Sequence, residues 1–233
     1  TEYSLDITRW ITYTTPFVIA NEGTTKVYYK STDNTANAES VKSLEIKIDK
    51  TPPTITSQIS PIPNSYGWNN TDTTVSFIAT DNISGIASVT NPQTITTEGA
   101  NQHIGGEAID LADNKVTTYV SLNIDKTPPT LTITATPNIL SPPNHTLTYV
   151  TIAGTSQATL SGIASNSFKV TDEYKKIELN IYSFNTTIQL EAWRNGDDLD
   201  GRIYTISAIT KDEADNQTSI STTVICPHDQ KKK

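Results

Sequence analysis

Ile48-Asp49-Lys50-Thr51-Pro52-Pro53-Thr54 returns further along the chain as Ile124-Asp125-Lys126-Thr127-Pro128-Pro129-Thr130. An identical run of this length, with other motifs in step with it, means tandem repeats. Two further segments keep its spacing to within a single position. Ser84-Gly85-Ile86-Ala87-Ser88 recurs as Ser161-Gly162-Ile163-Ala164-Ser165, and Asp33-Asn34-Thr35-Ala36-Asn37 matches Asp110-Leu111-Ala112-Asp113-Asn114. Asp212-Glu213-Ala214-Asp215-Asn216 follows at a wider interval, so the last repeat carries about 25 extra residues. Each Thr-Pro-Pro stops a repeat, because proline fixes φ, removes a donor and stiffens an extended connection. The boundaries therefore fall near Lys50 and Lys126.

A repeat of this length is near the size of an immunoglobulin-like sandwich. Between the turn signals, Val75, Phe77 and Ala79 alternate with polar residues. So do Val116, Thr118, Val120, Leu122 and Ile124, then Ile177-Leu179-Ile181, then Ile188-Leu190-Ala192. Period-two alternation buries one face and wets the other, which is the mark of a sandwich strand. The expected fold is all-β, with tandem immunoglobulin-like β-sandwich domains: residues 1–50, 51–126 and 127–233. The first is expected to hold only the later strands, since the stretch from Pro52 to Ile86 has no counterpart before Thr1.

Composition narrows the function classes. The 233 residues carry a net charge of −8 with few charged residues, 18%. Low charge argues against disorder, and an acidic balance argues against nucleic-acid binding, which needs a basic footprint. No apolar run approaches the roughly 18 residues of a membrane span. With no Met and Thr1 at its start, the chain reads as a piece of a longer product. Its one cysteine, Cys226, has no internal partner. Cysteine avoidance fits an extracellular or cell-surface prokaryotic protein.

The pattern Lys-Thr-Pro-Pro, then Ala79-Thr80-Asp81-Asn82-Ile83-Ser84-Gly85-Ile86, Glu98-Gly99 and the Asp-x-Ala-x-Asn turn resembles the bacterial and archaeal Ig-like repeats of large secreted or surface proteins. Thr1 to Asp6, Trp10, Tyr13, Pro16-Phe17 and Glu22-Gly23 look like the second half of the same kind of domain. Ser141-Pro142-Pro143-Asn144-His145, Gly201 to Ile206 and Cys226-Pro227-His228-Asp229-Gln230 are similar to a longer variant. The resemblance implies the fold and leaves function open, because such repeats are attached to many proteins. Where the family has glycine in its turn, this sequence reads Asn37, with one residue fewer, then Asp113 and Asp215. Thr159-Leu160 stands in place of Asp81-Asn82 in the last repeat.

Catalytic motifs are weak. The chain has three histidines and neither a nucleophile elbow nor a zinc-binding helix motif. His145 and His228 read as packing residues before they read as metal ligands. Cys226 reads as a strand end. Asp197-Asp198-Leu199-Asp200-Gly201 has the acids of a calcium loop without its closing Glu, and reads as a hairpin tip. Trp68 and Trp193 raise a sugar-stacking platform as an alternative to core packing. Asn69, Asn82, Asn144, Asn185 and Asn216 begin sequons.

One metal site is expected. In an immunoglobulin-type sandwich the B–C and F–G loops share an end. Asp81 and Asn82 fall on the first, Asp110 and Asp113 on the second, and Asp49 on the linker entering the domain. Calcium wants six to eight oxygen ligands of this kind. The expected function is a non-catalytic stalk, adhesin or filament subunit. Its partners would be neighbouring domains or subunits, by strand addition to the first domain, or surface glycans. The alternative is a carbohydrate-contacting accessory module of a secreted hydrolase.

Overall fold

A computed structural model describes residues 1–177 and 180–228. Along the first repeat run β1 (Glu2–Ser4), β2 (Ile11–Thr12), β3 (Gly23–Lys30) and β4 (Lys42–Ile48). They form one sheet in the order β2-β1-β3-β4. The second repeat contains β5 (Thr54–Ser60), β6 (Thr73–Thr80), β7 (Ile86–Val89), β8 (Gln93–Ile95), β9 (Gly99–Asp110) and β10 (Lys115–Ile124). Its sheets are β5-β6-β8 and β10-β9-β7. The third has β11 (Thr130–Thr136), β12 (Thr146–Gln157), β13 (Ile163–Asp172), β14 (Ile181–Tyr182), β15 (Thr186–Ala192), β16 (Arg202–Asp212) and β17 (Gln217–Cys226). They pair as β11-β12-β15 and β14-β13-β16-β17. The architecture is all-β, in tandem immunoglobulin-like sandwiches. Of the sequence features, Leu179 and Asp229-Gln230 lie outside the described residues.

The alternation read from the sequence fills the cores in most strands; the run Ile177-Leu179-Ile181 departs from it, since of its described residues only Ile181 lies in a strand, β14, and it is 80% exposed. In the third repeat Val150 and Ile152 of β12 and Leu190 of β15 meet Phe168 of β13, Tyr204 and Ile206 of β16 and Val224 of β17 in one buried cluster. The residues between them face water. The longer repeat's extra residues lengthen β13 and β15 relative to β7 and β8 and add β14 between them.

The first repeat's sheet matches β14-β13-β16-β17 strand for strand, and no described residue of that repeat builds the partner of β11-β12-β15. Register puts Tyr3 against Ile11 and Tyr29, and Val27 against Leu44. Side chains alternate across a sheet, so these apolar residues share one face while Lys26, Tyr28, Lys30 and Glu45 share the other. The segment ending at Phe17 folds back so that Phe17 stacks on Tyr3 with centroids 4.0 Å apart. Val27 on that face is 8% exposed, while its partner Leu44 is 57% exposed.

Contacts divide the chain into two compact units. One holds Thr1–Gln58, Val75–Gln93 and His103–Val120; the other holds Ile59–Thr74, Thr94–Gln102 and Ser121–Lys233.

Within the first unit, Gly106 of β9 backs onto Phe77 of β6. A methyl group at 106 would come 2.4 Å from the Phe77 ring, which is 6% exposed. Gly106→Ala is therefore expected to lower unfolding stability by about 1–3 kcal/mol through overpacking. Urea denaturation checks this, and Gly106→Ala combined with Phe77→Leu is expected to recover part of the loss.

Candidate functional site

The repeated linker is the most elaborated polar feature of the chain. Two adjacent prolines leave it without sheet partners, so its remaining backbone groups must be satisfied by side chains. In the first unit the Glu22 carboxylate accepts the Lys50 N–H at 2.6 Å and the Thr51 hydroxyl at 3.0 Å, while Lys50 Nζ donates to the Ala20 carbonyl at 2.8 Å. In the second unit Glu98 accepts the Lys126 N–H and the Thr127 hydroxyl, and Lys126 Nζ donates to the Thr96 carbonyl at 2.7 Å. Glu22 and Glu98 precede the glycines that start β3 and β9, so each repeat grips the linker that leaves it.

The following repeat grips the same linker from its other end. Asp49 accepts the Thr51 N–H and the Ser84 N–H, both at 3.0 Å. Asp125 does the same with Thr127 at 3.0 Å and Ser161 at 2.9 Å. The Asp-x-x-x-Asn turn adds the last contact. Asp110 accepts the Ala112 and Asn114 N–H groups and one Asn114 amide hydrogen, all at 2.8 Å. The Asn114 amide also donates to the Asp49 carbonyl at 3.2 Å. In the second unit the Asn216 amide bridges the Asp212 carboxylate at 3.0 Å and the Asp125 carbonyl at 2.8 Å. Asp110, Asp125 and Asp212 are buried, at 0%, 1% and 0% exposure. Burial at that level strengthens each bond and penalises its loss.

Three of the five residues read as calcium ligands come together. Carboxylate oxygens of Asp49, Asp81 and Asp110 lie within 4.8 Å of one another. Asp81 Oδ1 accepts the N–H groups of Gly85 at 2.8 Å, Ser84 at 2.9 Å and Ile83 at 3.1 Å. These donors, the Gly85 N–H foremost, hold its carboxyl below the usual range. Asn82 is exposed beside it. Asp113 stays outside the carboxylate group and occupies a left-handed position, φ +67°.

Two details of the sequence reading need correction. Ser84 and Ser161 play the same part, so the residue matching Asp81 is Ala158 and that matching Asn82 is Thr159, one position earlier than read. The second joint has no carboxylate there, and the Ser161 hydroxyl is buried without a partner. The first repeat's turn is also not one residue short. Asp33 bonds to Asn37 with the same four-residue spacing as the other two turns, and Ala36 takes the left-handed position, φ +67°.

The remaining candidates fall into structural roles. His145 pairs with Glu191 at 3.0 Å and stacks on Trp193. His228 accepts a bond from Arg194 on its carbonyl, at 2.8 Å. Cys226 is buried, and burial pushes its thiol up. Asp198 accepts the Gly201 N–H at 3.0 Å and the Tyr174 hydroxyl; its segment is not the hairpin tip read from the sequence, because it joins β15 and β16, which lie in different sheets. Trp68 is 9% exposed, and Trp193 is packed by His145, Lys176 and Arg202. The Asn69 amide donates to the Pro61 carbonyl at 2.9 Å, so of the sequon asparagines Asn69 and Asn216 both use their amides structurally. Sequence reasoning missed Glu22, Glu98, Asn114 and Asn216. The signal was available in Glu-Gly and Asp-x-x-x-Asn recurring in step with the proline linkers.

No protein-family model matches the chain, and no curated protein does. Among solved structures it is similar to the fibronectin(III)-like modules of Clostridium thermocellum CbhA, with 13% identity and a TM-score of 0.35, over 75% of this chain and 94% of that one. It is also similar to a tetra-tandem repeat in the extending region of a large adhesion protein, with 16% identity and a TM-score of 0.29, over 89% and 57%. A third is the set of extracellular cadherin domains 1–5 of protocadherin gamma B2, with 11% identity and a TM-score of 0.28, over 87% and 45%. The chain thus spans less than two thirds of the last two.

An alanine in the left-handed region is strained where glycine is not. Ala36→Gly is expected to raise the first repeat's stability by about 0.5–1 kcal/mol, the relief being partly offset by unfolded-state entropy. In the same turn the Asn37 amide and N–H hold the Asp33 carboxyl at about 2, against an ordinary value near 3.8. Because that value is lowered on folding, the turn's contribution is full above pH 4 and is lost as pH falls through 2. A carbon-detected titration of the Asp33 carboxyl with a midpoint near 2 confirms this, and a midpoint near 4 refutes it.

Proposed function

We propose that this chain is a non-catalytic structural segment of an extracellular surface protein, serving as a stalk, adhesin or assembly subunit. One observation carries the reading: the two linkers, at matching places in successive repeats, are gripped from both ends by matched sets of side-chain hydrogen bonds. A flexible tether needs no such contacts. A spacer does, because it must hold successive domains at a set angle against solvent and load. Buried aspartates that hold turns and linkers together also give the recurring acids of the repeats a structural task. The partners in this reading are neighbouring domains or subunits, with the first repeat open to strand addition.

Calcium at the first joint belongs to the same proposal. Asp49, Asp81 and Asp110 come from three separate segments of the first unit and converge within 4.8 Å. A divalent cation there would relieve the mutual repulsion of the carboxylates and tie linker, B–C turn and F–G turn together. The second joint, with Ala158 opposite Asp125 and Asp212, offers one carboxylate fewer and is expected to do without the ion.

Melting the chain with and without calcium tests this part. At a concentration about 100-fold above the dissociation constant, binding is expected to add about 2.7 kcal/mol of stability. Asp81→Asn is expected to abolish the shift while Asp212→Asn lowers stability equally with and without calcium. A shift of the same size in both variants, or none in the unaltered chain, contradicts the site. For the spacer role itself, Asn114→Ala and Asn216→Ala are each expected to cost about 1–3 kcal/mol and to raise backbone mobility at the linker in nitrogen-15 relaxation. Unchanged linker mobility would oppose it.

A further inference from the structure

We infer that Asn144 is the acceptor for N-linked glycosylation of the folded chain, and that the fold disfavours the other four sequons. The modification is a property of the third repeat's surface. It goes beyond the structural role proposed above and shares with it only the extracellular setting.

The five sequons differ in what each asparagine side chain is doing. Glycosylation needs an exposed Nδ2 that no other group engages. The motif's demand for a hydroxyl two residues on also means that this hydroxyl acts beside the same carboxamide. Asn69 fails on both exposure and engagement: it is 4% exposed and donates its amide to the Pro61 carbonyl at 2.9 Å. Asn216 uses both amide hydrogens, one on the Asp212 carboxylate at 3.0 Å and one on the Asp125 carbonyl at 2.8 Å. Asn82 is exposed, but its sequon's Ser84 hydroxyl turns to Asp81 at 3.4 Å, and the Ser84 N–H is held by Asp49 and Asp81. Asn185 is also exposed, yet its Oδ1 accepts the Gly154 N–H at 3.3 Å, and the Thr187 hydroxyl pairs across the sheet with Thr151 at 3.1 Å.

Asn144-His145-Thr146 brings the two groups of the motif together. The Thr146 hydroxyl and the Thr146 N–H, the latter at 3.1 Å, both donate to Asn144 Oδ1. Asn144 Nδ2 donates to no described residue, and Asn144, His145 and Thr146 are all exposed. The segment is shaped by its middle residue. The His145 N–H donates to the Ala192 carbonyl at 3.0 Å, and its backbone takes φ +62°. Its ring stacks on Trp193 and bonds to Glu191 at 3.0 Å. The Asn144 N–H donates to the Pro142 carbonyl at 2.9 Å and tightens the turn. A turn already held in one shape binds without an ordering cost. Donors on Oδ1 also favour the deprotonated carboxamide, whose charge lies largely on that oxygen, so the same contacts ease loss of the Nδ2 proton. The co-substrate is a lipid-pyrophosphate-linked oligosaccharide, used by an oligosaccharyltransferase. Nδ2 bonds to the anomeric carbon, and the bond from that carbon to the phosphate oxygen breaks. The lipid pyrophosphate leaves with the electron pair, and one Nδ2 proton passes to a base of the transferase.

The test incubates the whole folded chain with a purified single-subunit oligosaccharyltransferase that requires only Asn-x-Ser/Thr. A fluorescent lipid-pyrophosphate-linked oligosaccharide is the donor, and peptide mass mapping reads occupancy at each asparagine. Short peptides carrying each sequon serve as the unfolded reference. Asn144 of the folded chain is expected to be modified at least about ten-fold faster than the other four, since Asn69 and Asn216 must wait for local opening. The peptides are expected to lack that preference. Thr146→Ala is expected to abolish modification at Asn144, and Thr146→Ser to retain it. Absence of transfer to Asn144 in the folded chain overturns the inference. So does transfer to Asn69 or Asn216 at a similar rate, and so does the same ten-fold preference among the peptides, which would assign it to local sequence and not to the fold. None of these outcomes touches the linker grip, whose failure would appear instead in the mobility of the Asn114 and Asn216 variants.

Discussion

The Asn side chain at the end of each Asp-x-x-x-Asn turn has two amide hydrogens, and the joints depend on where they go. In Asn114 and Asn216 one hydrogen closes the turn on its own aspartate and the other reaches the linker carbonyl of Asp49 or Asp125. A turn is thereby made into a clamp. The proline pair makes the clamp necessary, since it strips the linker of backbone donors and keeps it extended. In the first repeat the corresponding Asn37 turns its amide to Asp33 and Thr35 instead, and there the turn is only a turn.

From that constraint the rest of the molecule can be ordered. The glutamate before β3 or β9 grips the outgoing linker, the aspartate at its end grips the next repeat's serine N–H, and the asparagine locks the pair. Strand alternation then needs only to fill each sandwich. The open apolar face of β2-β1-β3-β4 is the one place where this scheme is left unfinished among the described residues.

Much of this was legible in the sequence. The repeated Ile-Asp-Lys-Thr-Pro-Pro-Thr placed the linkers, and period-two runs such as Val75-Phe77 and Ile188-Leu190-Ala192 marked strands whose apolar residues proved buried. Asp49, Asp81 and Asp110 converge because sandwich topology brings the B–C and F–G loops to one end, which the order of motifs already implied. Asp113 could not be separated from them by spacing. Its backbone sits in the left-handed region and its carboxylate stays out of the group, and a sequence does not display φ. The grip of Glu22 and Glu98 was hidden for a related reason. A hydrogen bond between groups so far apart along the chain depends on a hairpin register that motif reading does not supply. The one-position shift that puts Ala158, not Thr159, opposite Asp81 emerged only from the matched roles of Ser84 and Ser161.

Amide hydrogen exchange at Lys50, Ser84, Lys126 and Ser161 tests the clamped-linker account most directly, because each of these N–H groups is bonded to a carboxylate that the account treats as part of the grip. If the linkers are held as described, all four exchange with protection close to that of the neighbouring strand cores, and Asn216→Ala lowers protection at Lys126 and Ser161 while leaving Lys50 and Ser84 unchanged. Exchange of all four at the rates of an unstructured peptide, beside protected strands, would contradict it.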